Sequence, residues 1–123
     1  METKYSLERH AGRKIKIEAT RTFETASLIY DLAPDEDGRW YLIWETLNPP
    51  TWSLSWPSLE AARRFLDQMS VEDCNRMERI ILEVAEKAGE VIACDLGESN
   101  TVSGFLRRLD MIAAEVLNRG RLQ

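Results

Sequence analysis

Residues 26–46 read ASLIYDLA, PDEDG and RWYLIWET, two strand-like runs around a turn. Pro34, Asp35, Asp37 and Gly38 supply the turn chemistry between Ala26–Ala33 and Arg39–Thr46, a hairpin signature. In the first run Leu28, Tyr30 and Leu32 share a face, and in the second Trp40, Leu42 and Trp44 do. The opposite faces are mixed, with Ser27, Ile29 and Asp31 on one strand and Arg39, Tyr41, Ile43 and Glu45 on the other. A strand's side chains alternate, so one face is read as core and the other as partly covered.

Toward the N-terminus, RKIKIEAT (Arg13–Thr20) alternates Ile15, Ile17 and Ala19 with Lys14, Lys16 and Glu18. That period of two predicts a half-buried strand over 13–20, with lysines suited to an edge. Residues 1–12 are polar and are read as an N-terminal arm. Toward the C-terminus, Asn48-Pro49-Pro50 ends the second hairpin strand, because tandem prolines cannot donate to a ladder. TWSLSW (Thr51–Trp56) then sets Trp52, Leu54 and Trp56 against Ser53 and Ser55 and predicts a further strand.

From Pro57 the period changes. Ser58 is placed to cap a helix over 59–69, with Leu59, Ala62, Phe65, Leu66 and Met69 at helical spacing. Ser70 and Asp73 form a capping-box pattern, with Asp in place of the usual Glu, before a helix over 71–88. Cys74, Met77, Ile80, Ile81, Val84, Ala85 and Ala88 make its apolar stripe, and Gly89 stands where a left-handed C-terminal residue belongs. Glu90–Cys94 (EVIAC) fits either a strand or a helix extension. A last helix over 101–118 carries Val102, Phe105, Leu106, Leu109, Ile112, Ala113, Val116 and Leu117. The expectation is a single α+β domain over 13–120. It consists of an antiparallel meander of about four strands (13–20, 26–33, 39–46, 51–56), followed by two or three helices on one sheet face.

The 123 residues are 44% hydrophobic and 30% charged, values of an ordinary globular chain. Such a domain buries about two-thirds of its unfolded surface and needs no disulfide or metal to hold it. Cys74 and Cys94 are read as small buried hydrophobes. The residues METKYSLERHAGRK have no apolar signal core, and no run is long enough to span a membrane, so a cytoplasmic protein is expected. Net charge is −5, unevenly spread. Residues 1–21 carry six basic and three acidic side chains, whereas 22–50 carry one basic and six acidic. An acidic body disfavours nucleic acid, leaving only the arm (Arg13, Lys14, Lys16) and the C-terminal Arg107, Arg108, Arg119 and Arg121 as a weak basic alternative.

Chemistry is sparse. His10, the only histidine, lies in the polar arm, and one histidine with two distant cysteines does not make a common zinc site. Against a calcium-loop pattern, Gly38 aligns Asp35 and Asp37 with ligand positions. Ala33 and Trp44 then fall on the two essential carboxylate positions, and the match fails. No phosphate-binding glycine pattern occurs. Glu45 and Asp95 are the carboxylates adjoining apolar runs. No catalytic residue, metal or cofactor is assigned, which points away from an enzyme.

Aromatic residues remain. Trp40 and Trp44 share the core face, whereas Trp52 and Trp56 alternate with serine and are read as edge-strand candidates for an outward-facing anchor. Together with Tyr41 and the acidic turn residues Asp35 and Asp37, they form the expected partner-binding set. The expected function is a non-enzymatic protein-interaction module binding through its sheet edge, of accessory, inhibitor or immunity type. A bacterial, phage or mobile-element origin goes with that reading. A small-ligand site or enzyme in a sheet–helix cleft, using Tyr30, Tyr41 and Glu45, is the alternative. The partly apolar second face (Ile29, Tyr41, Ile43) also points to a homodimer.

Overall fold

The computed structural model describes residues 15–43, 52–89 and 92–121. The hairpin forms as expected, with β2 over Ile29–Pro34 and β3 over Trp40–Ile43. Asp35 and Arg39 close its turn, the Asp35 amide donating to the Arg39 carbonyl at 2.8 Å. The three residues between them end on Gly38 at φ 87°. That left-handed position is one glycine adopts without steric cost.

The strand expected over 13–20 does not form among the described residues. Ile15 makes only an isolated antiparallel bridge with Asp35, and Ile17–Ala19 turn into a short 3-10 helix. Thr20 stabilises that turn, its amide and hydroxyl both donating to the Ile17 carbonyl. Ile17 is exposed, so the isoleucine alternation there is not a buried face. Pairing resumes one step later, as β1 over Arg21–Glu24 against Ile29–Leu32.

β4, over Trp52–Trp56, pairs antiparallel with β3. The ambiguous 90–94 run resolves as a strand, β5 over Ile92–Asp95, lying parallel to β4. The sheet order is β1-β2-β3-β4-β5, and β4 is therefore internal. The crossover between β4 and β5 holds α1 (Leu59–Leu66) and α2 (Val71–Ala88), as a parallel pair requires a long connection. α3, over Val102–Arg121, follows β5 and packs along α2.

Local signals set the helix ends. The Ser58 hydroxyl accepts from the Ala61 amide at 3.1 Å. Ser70 and Asp73 form the reciprocal capping box, at 3.0 Å and 3.2 Å. Gly89 closes α2 at φ 67°. The core lies between the helices and one sheet face, where Tyr30, Leu32, Leu54 and Trp56 meet Phe65, Leu66, Met77, Ile81, Leu106 and Leu109. Phe65 sits at its centre, 5.5 Å from the Trp56 ring and 5.7 Å from Phe105. No helix among the described residues is long and apolar enough to cross a membrane.

Candidate functional site

The second sheet face is partly covered, as its mixed composition suggests, and Ile29 on it is 71% exposed. Ala33, Tyr41 and Ser55 are all buried in its middle, and Asp35 is only 2% exposed. Strand registers explain the grouping. Ala33 pairs with Tyr41, Tyr41 with Ser55, and Ser55 with Asp95, so one row crosses four strands. The hairpin turn places Asp35 and Arg39 beside that row.

Asp35 organises the turn from within. One carboxylate oxygen accepts from the amides of Asp37 and Arg39, both at 2.9 Å. The other accepts from the Tyr41 hydroxyl at 3.0 Å. Of the two acidic turn residues in the expected partner-binding set, Asp35 is therefore buried and only Asp37 is exposed. A short acidic side chain that bonds backbone amides two and four residues on competes well with water.

Arg39 ties three strands together. Its Nε donates to Ser55 Oγ at 2.7 Å, and a terminal nitrogen donates to the carbonyls of Leu96 at 2.8 Å and Ser55 at 3.2 Å. Ser55 Oγ in turn donates to Asp95 at 2.8 Å. Ser55 is fully buried, and a guanidinium donating to its oxygen reduces its electron density. This serine–carboxylate pair is a clamp between strands and not an exposed nucleophile.

The sequence-derived site set does not assemble on one surface. Trp56, expected as an outward anchor, is fully buried against Phe65. The physical reason is topological: β5 adds beyond β4, so β4 is no edge, and Trp56 shares its face with Leu54 toward the helices. Tyr41 and Asp35 are buried in the clamp, which removes Tyr41 from any dimer surface with Ile29 and Ile43. Asp37 stands alone at the turn. The side chain of Trp52 lies outside the described residues, as do Trp44, Glu45, His10, Arg13 and Lys14, whereas Lys16 of the basic arm is described and exposed.

Two features are accessible, and sequence reasoning missed the first of them. The first is the outer edge of β1. Thr25 donates its amide to the Leu28 carbonyl at 2.8 Å, making those two a bonded pair. Antiparallel alternation then turns the backbone of Arg21 and Phe23 toward β2 and that of Thr22 and Glu24 outward. No described residue bonds to those outward groups. The flanking Ile29 is 71% exposed. The Phe23 ring is covered by guanidinium groups, Arg63 at 4.4 Å and Arg21 at 5.3 Å.

The second is an apolar cleft of about 170 Å³ between the start of β2, the end of β3 and the α1–α2 corner. Leu28, Tyr30, Leu42, Leu66, Cys74 and Met77 form its walls. Of the polar trio expected in a sheet–helix cleft, only Tyr30 is there. Tyr41 faces the other side of the sheet, and Glu45 is not among the described residues. The Tyr30 hydroxyl donates to Asp67 at 2.9 Å, and burial pushes its pKa up.

Cys74 and Cys94 are both half-buried thiols, neither in a disulfide. Burial pushes the Cys74 thiol up from its ordinary value, and the Glu78 carboxylate adds to the rise. The thiol is the neutral form, so a raised pKa keeps it protonated at neutral pH and unreactive. In a Cys94→Ser background, iodoacetamide is expected to alkylate Cys74 more slowly than free cysteine at pH 7–8. The rate should climb only above the ordinary thiol pKa of about 8.5. Alkylation at neutral pH as fast as in the urea-unfolded chain would contradict that environment.

Among the described residues no group of three or more His, Cys, Asp or Glu side chains is placed to hold a metal ion. Comparison with protein-family models finds no match to this chain, and neither curated proteins nor solved structures show one that is similar.

Proposed function

We propose that this protein is a non-enzymatic protein-interaction module that binds its partner through the β1 edge of the sheet. The supporting observation is the row of outward-facing backbone groups at Thr22 and Glu24, beside the exposed Ile29. An extended segment of a partner adds to such an edge by main-chain hydrogen bonds, with neighbouring apolar groups giving selectivity. The strand is only four residues long, which suits a specific short contact better than open-ended edge pairing. An accessory, inhibitor or immunity-type role in the cytoplasm fits a small acidic body whose two cysteines form no disulfide.

Thr22→Pro tests the edge directly. The Thr22 amide faces outward, so proline removes a backbone donor available to a partner and none of the backbone bonds to β2, though it also removes the hydroxyl that donates to Asp31 at 2.6 Å. Full-length chain immobilised in lysate of its native host is expected to capture a defined partner that Thr22→Pro fails to retain. The variant's thermal midpoint should stay within a few degrees of the parent, since edge substitutions cost about 0.5–1 kcal/mol. Equal capture by a folded Thr22→Pro variant would remove the β1 edge as the binding element.

A further inference from the structure

We infer that the partner segment added at β1 alternates basic and acidic residues. Its acidic side chain lies on the helix side of the sheet opposite Phe23, and its basic ones lie on the other side, opposite Thr22 and Glu24. This rests on the interaction reading above and adds the chemistry of the partner.

Charge is sorted by sheet face along this edge. Arg21 pairs with Leu32 and Phe23 with Tyr30, so Arg21 and Phe23 lie on the helix side, as those two core residues do. Thr22 pairs with Asp31 and Glu24 with Ile29, and these four lie on the opposite side. The helix side is positive, with the guanidinium groups of Arg63 and Arg21 at 4.4 Å and 5.3 Å from the Phe23 ring. Arg21 is exposed and has no carboxylate partner among the described residues. Arg63 meets Asp67 at 3.8 Å, longer than a hydrogen bond, and 43% of its side chain is exposed. The other side is negative. Glu24 is exposed, and Asp31 accepts from the Thr22 hydroxyl at 2.6 Å. Neither carboxylate has a cationic partner among the described residues.

Edge geometry turns this sorting into a sequence pattern. The Phe23 backbone faces β2, so a residue opposite Phe23 in an added antiparallel strand makes the pair without hydrogen bonds, in which side chains approach most closely. It projects to the helix side, its Cβ about 5 Å from that of Phe23, beside both guanidinium groups. A carboxylate there accepts from planar guanidinium donors. The residues before and after it bond to Thr22 and Glu24 and project to the other side. A lysine there lays its apolar stem along Ile29 and carries its ammonium group to Glu24 and Asp31. The reverse alternation sets like charges together on both faces.

The test is an amide-resolved NMR titration of the full chain with three capped pentapeptides: Val-Lys-Glu-Lys-Val, Val-Lys-Gln-Lys-Val and Val-Gln-Glu-Gln-Val. Each is expected to shift the amides of Arg21–Glu24. The first should bind about threefold or more tightly than either control, as exposed ion pairs allow. Overall charge acts against the first of these differences, because a chain of net charge −5 attracts Lys-Gln-Lys more than Lys-Glu-Lys. A preference for Lys-Glu-Lys therefore reports the local cations. Arg21→Gln should shrink the gap between the first two peptides, and Glu24→Gln the gap between the first and third; both positions are exposed. Equal binding of Val-Lys-Gln-Lys-Val, or a gap unchanged by Arg21→Gln, would overturn the inference. If all three peptides bind equally at Arg21–Glu24 and Thr22→Pro abolishes each, the charge pattern falls and the interaction reading stands. If none shifts those amides at millimolar concentration, the edge reading falls as well.

Discussion

Trp56→Ala is expected to destabilise the domain by about 3–5 kcal/mol, the range for removing a large aromatic from a packed core. Against a total of about 5–15 kcal/mol for a domain of this kind, that is a large share. The indole is fully buried, its ring 5.5 Å from that of Phe65 and tilted to it by 52°. Its Nε1 has no hydrogen-bond partner among the described residues, so the site loses little by giving up the N–H. Trp56→Phe is accordingly expected to cost far less than Trp56→Ala, about 1.5 kcal/mol or less for a partly conserved volume. Urea unfolding followed by circular dichroism measures both. An unchanged midpoint for Trp56→Ala, with partner capture lost instead, would return Trp56 to the surface role its sequence context suggests.

The second large effect is expected at Arg39. Arg39→Met keeps the aliphatic stem but removes the donors to Ser55 Oγ, the Ser55 carbonyl and the Leu96 carbonyl. The guanidinium is mostly buried, with 19% of the side chain exposed. Losing its hydrogen bonds is expected to cost about 2–4 kcal/mol, because the carbonyls it serves stay out of water. A double-mutant cycle with Ser55→Ala should give a coupling energy of at least about 1 kcal/mol, as for groups in one network. Hydrogen exchange should show the β5 amides losing protection first, since Arg39 adds the side-chain bonds from the hairpin to Ser55 and to Leu96 just beyond β5. Strict additivity, or even loss of protection across the sheet, would show that the clamp is not a unit.

Most of the architecture was legible because it depends on local rules. Period-two alternation located β2, β3 and β4, and period-three-to-four stripes located all three helices. Ser58, Ser70 with Asp73, and Gly89 marked helix ends because a cap is satisfied within a few residues of itself. The failure at 13–20 is equally local in cause. Isoleucine alternation described a strand, but Thr20 bonded back to Ile17 and turned the chain before the strand began.

The site was not legible, and the reason is pairing order. Whether Trp56 faces a partner or a core depends on whether another strand lies beyond β4. That strand, Ile92–Asp95, is contributed by residues more than thirty positions away and joins in parallel. The same pairing brings Asp95 beside Ser55 and within 3.9 Å of Arg39, turning serine and acidic residues that looked solvated into an interstrand clamp.

Sequence alone therefore determined the α+β class, the hairpin and its turn, the caps that start α1 and bound α2, and which face of β2, β3 and β4 is apolar. Each of these is set by neighbours within one turn or one strand. Tertiary structure decided which strands are edges, that Ala33, Tyr41 and Ser55 on the second face are buried, and where an apolar cleft opens. These depend on which distant elements lie side by side, and burial is a property of that assembly.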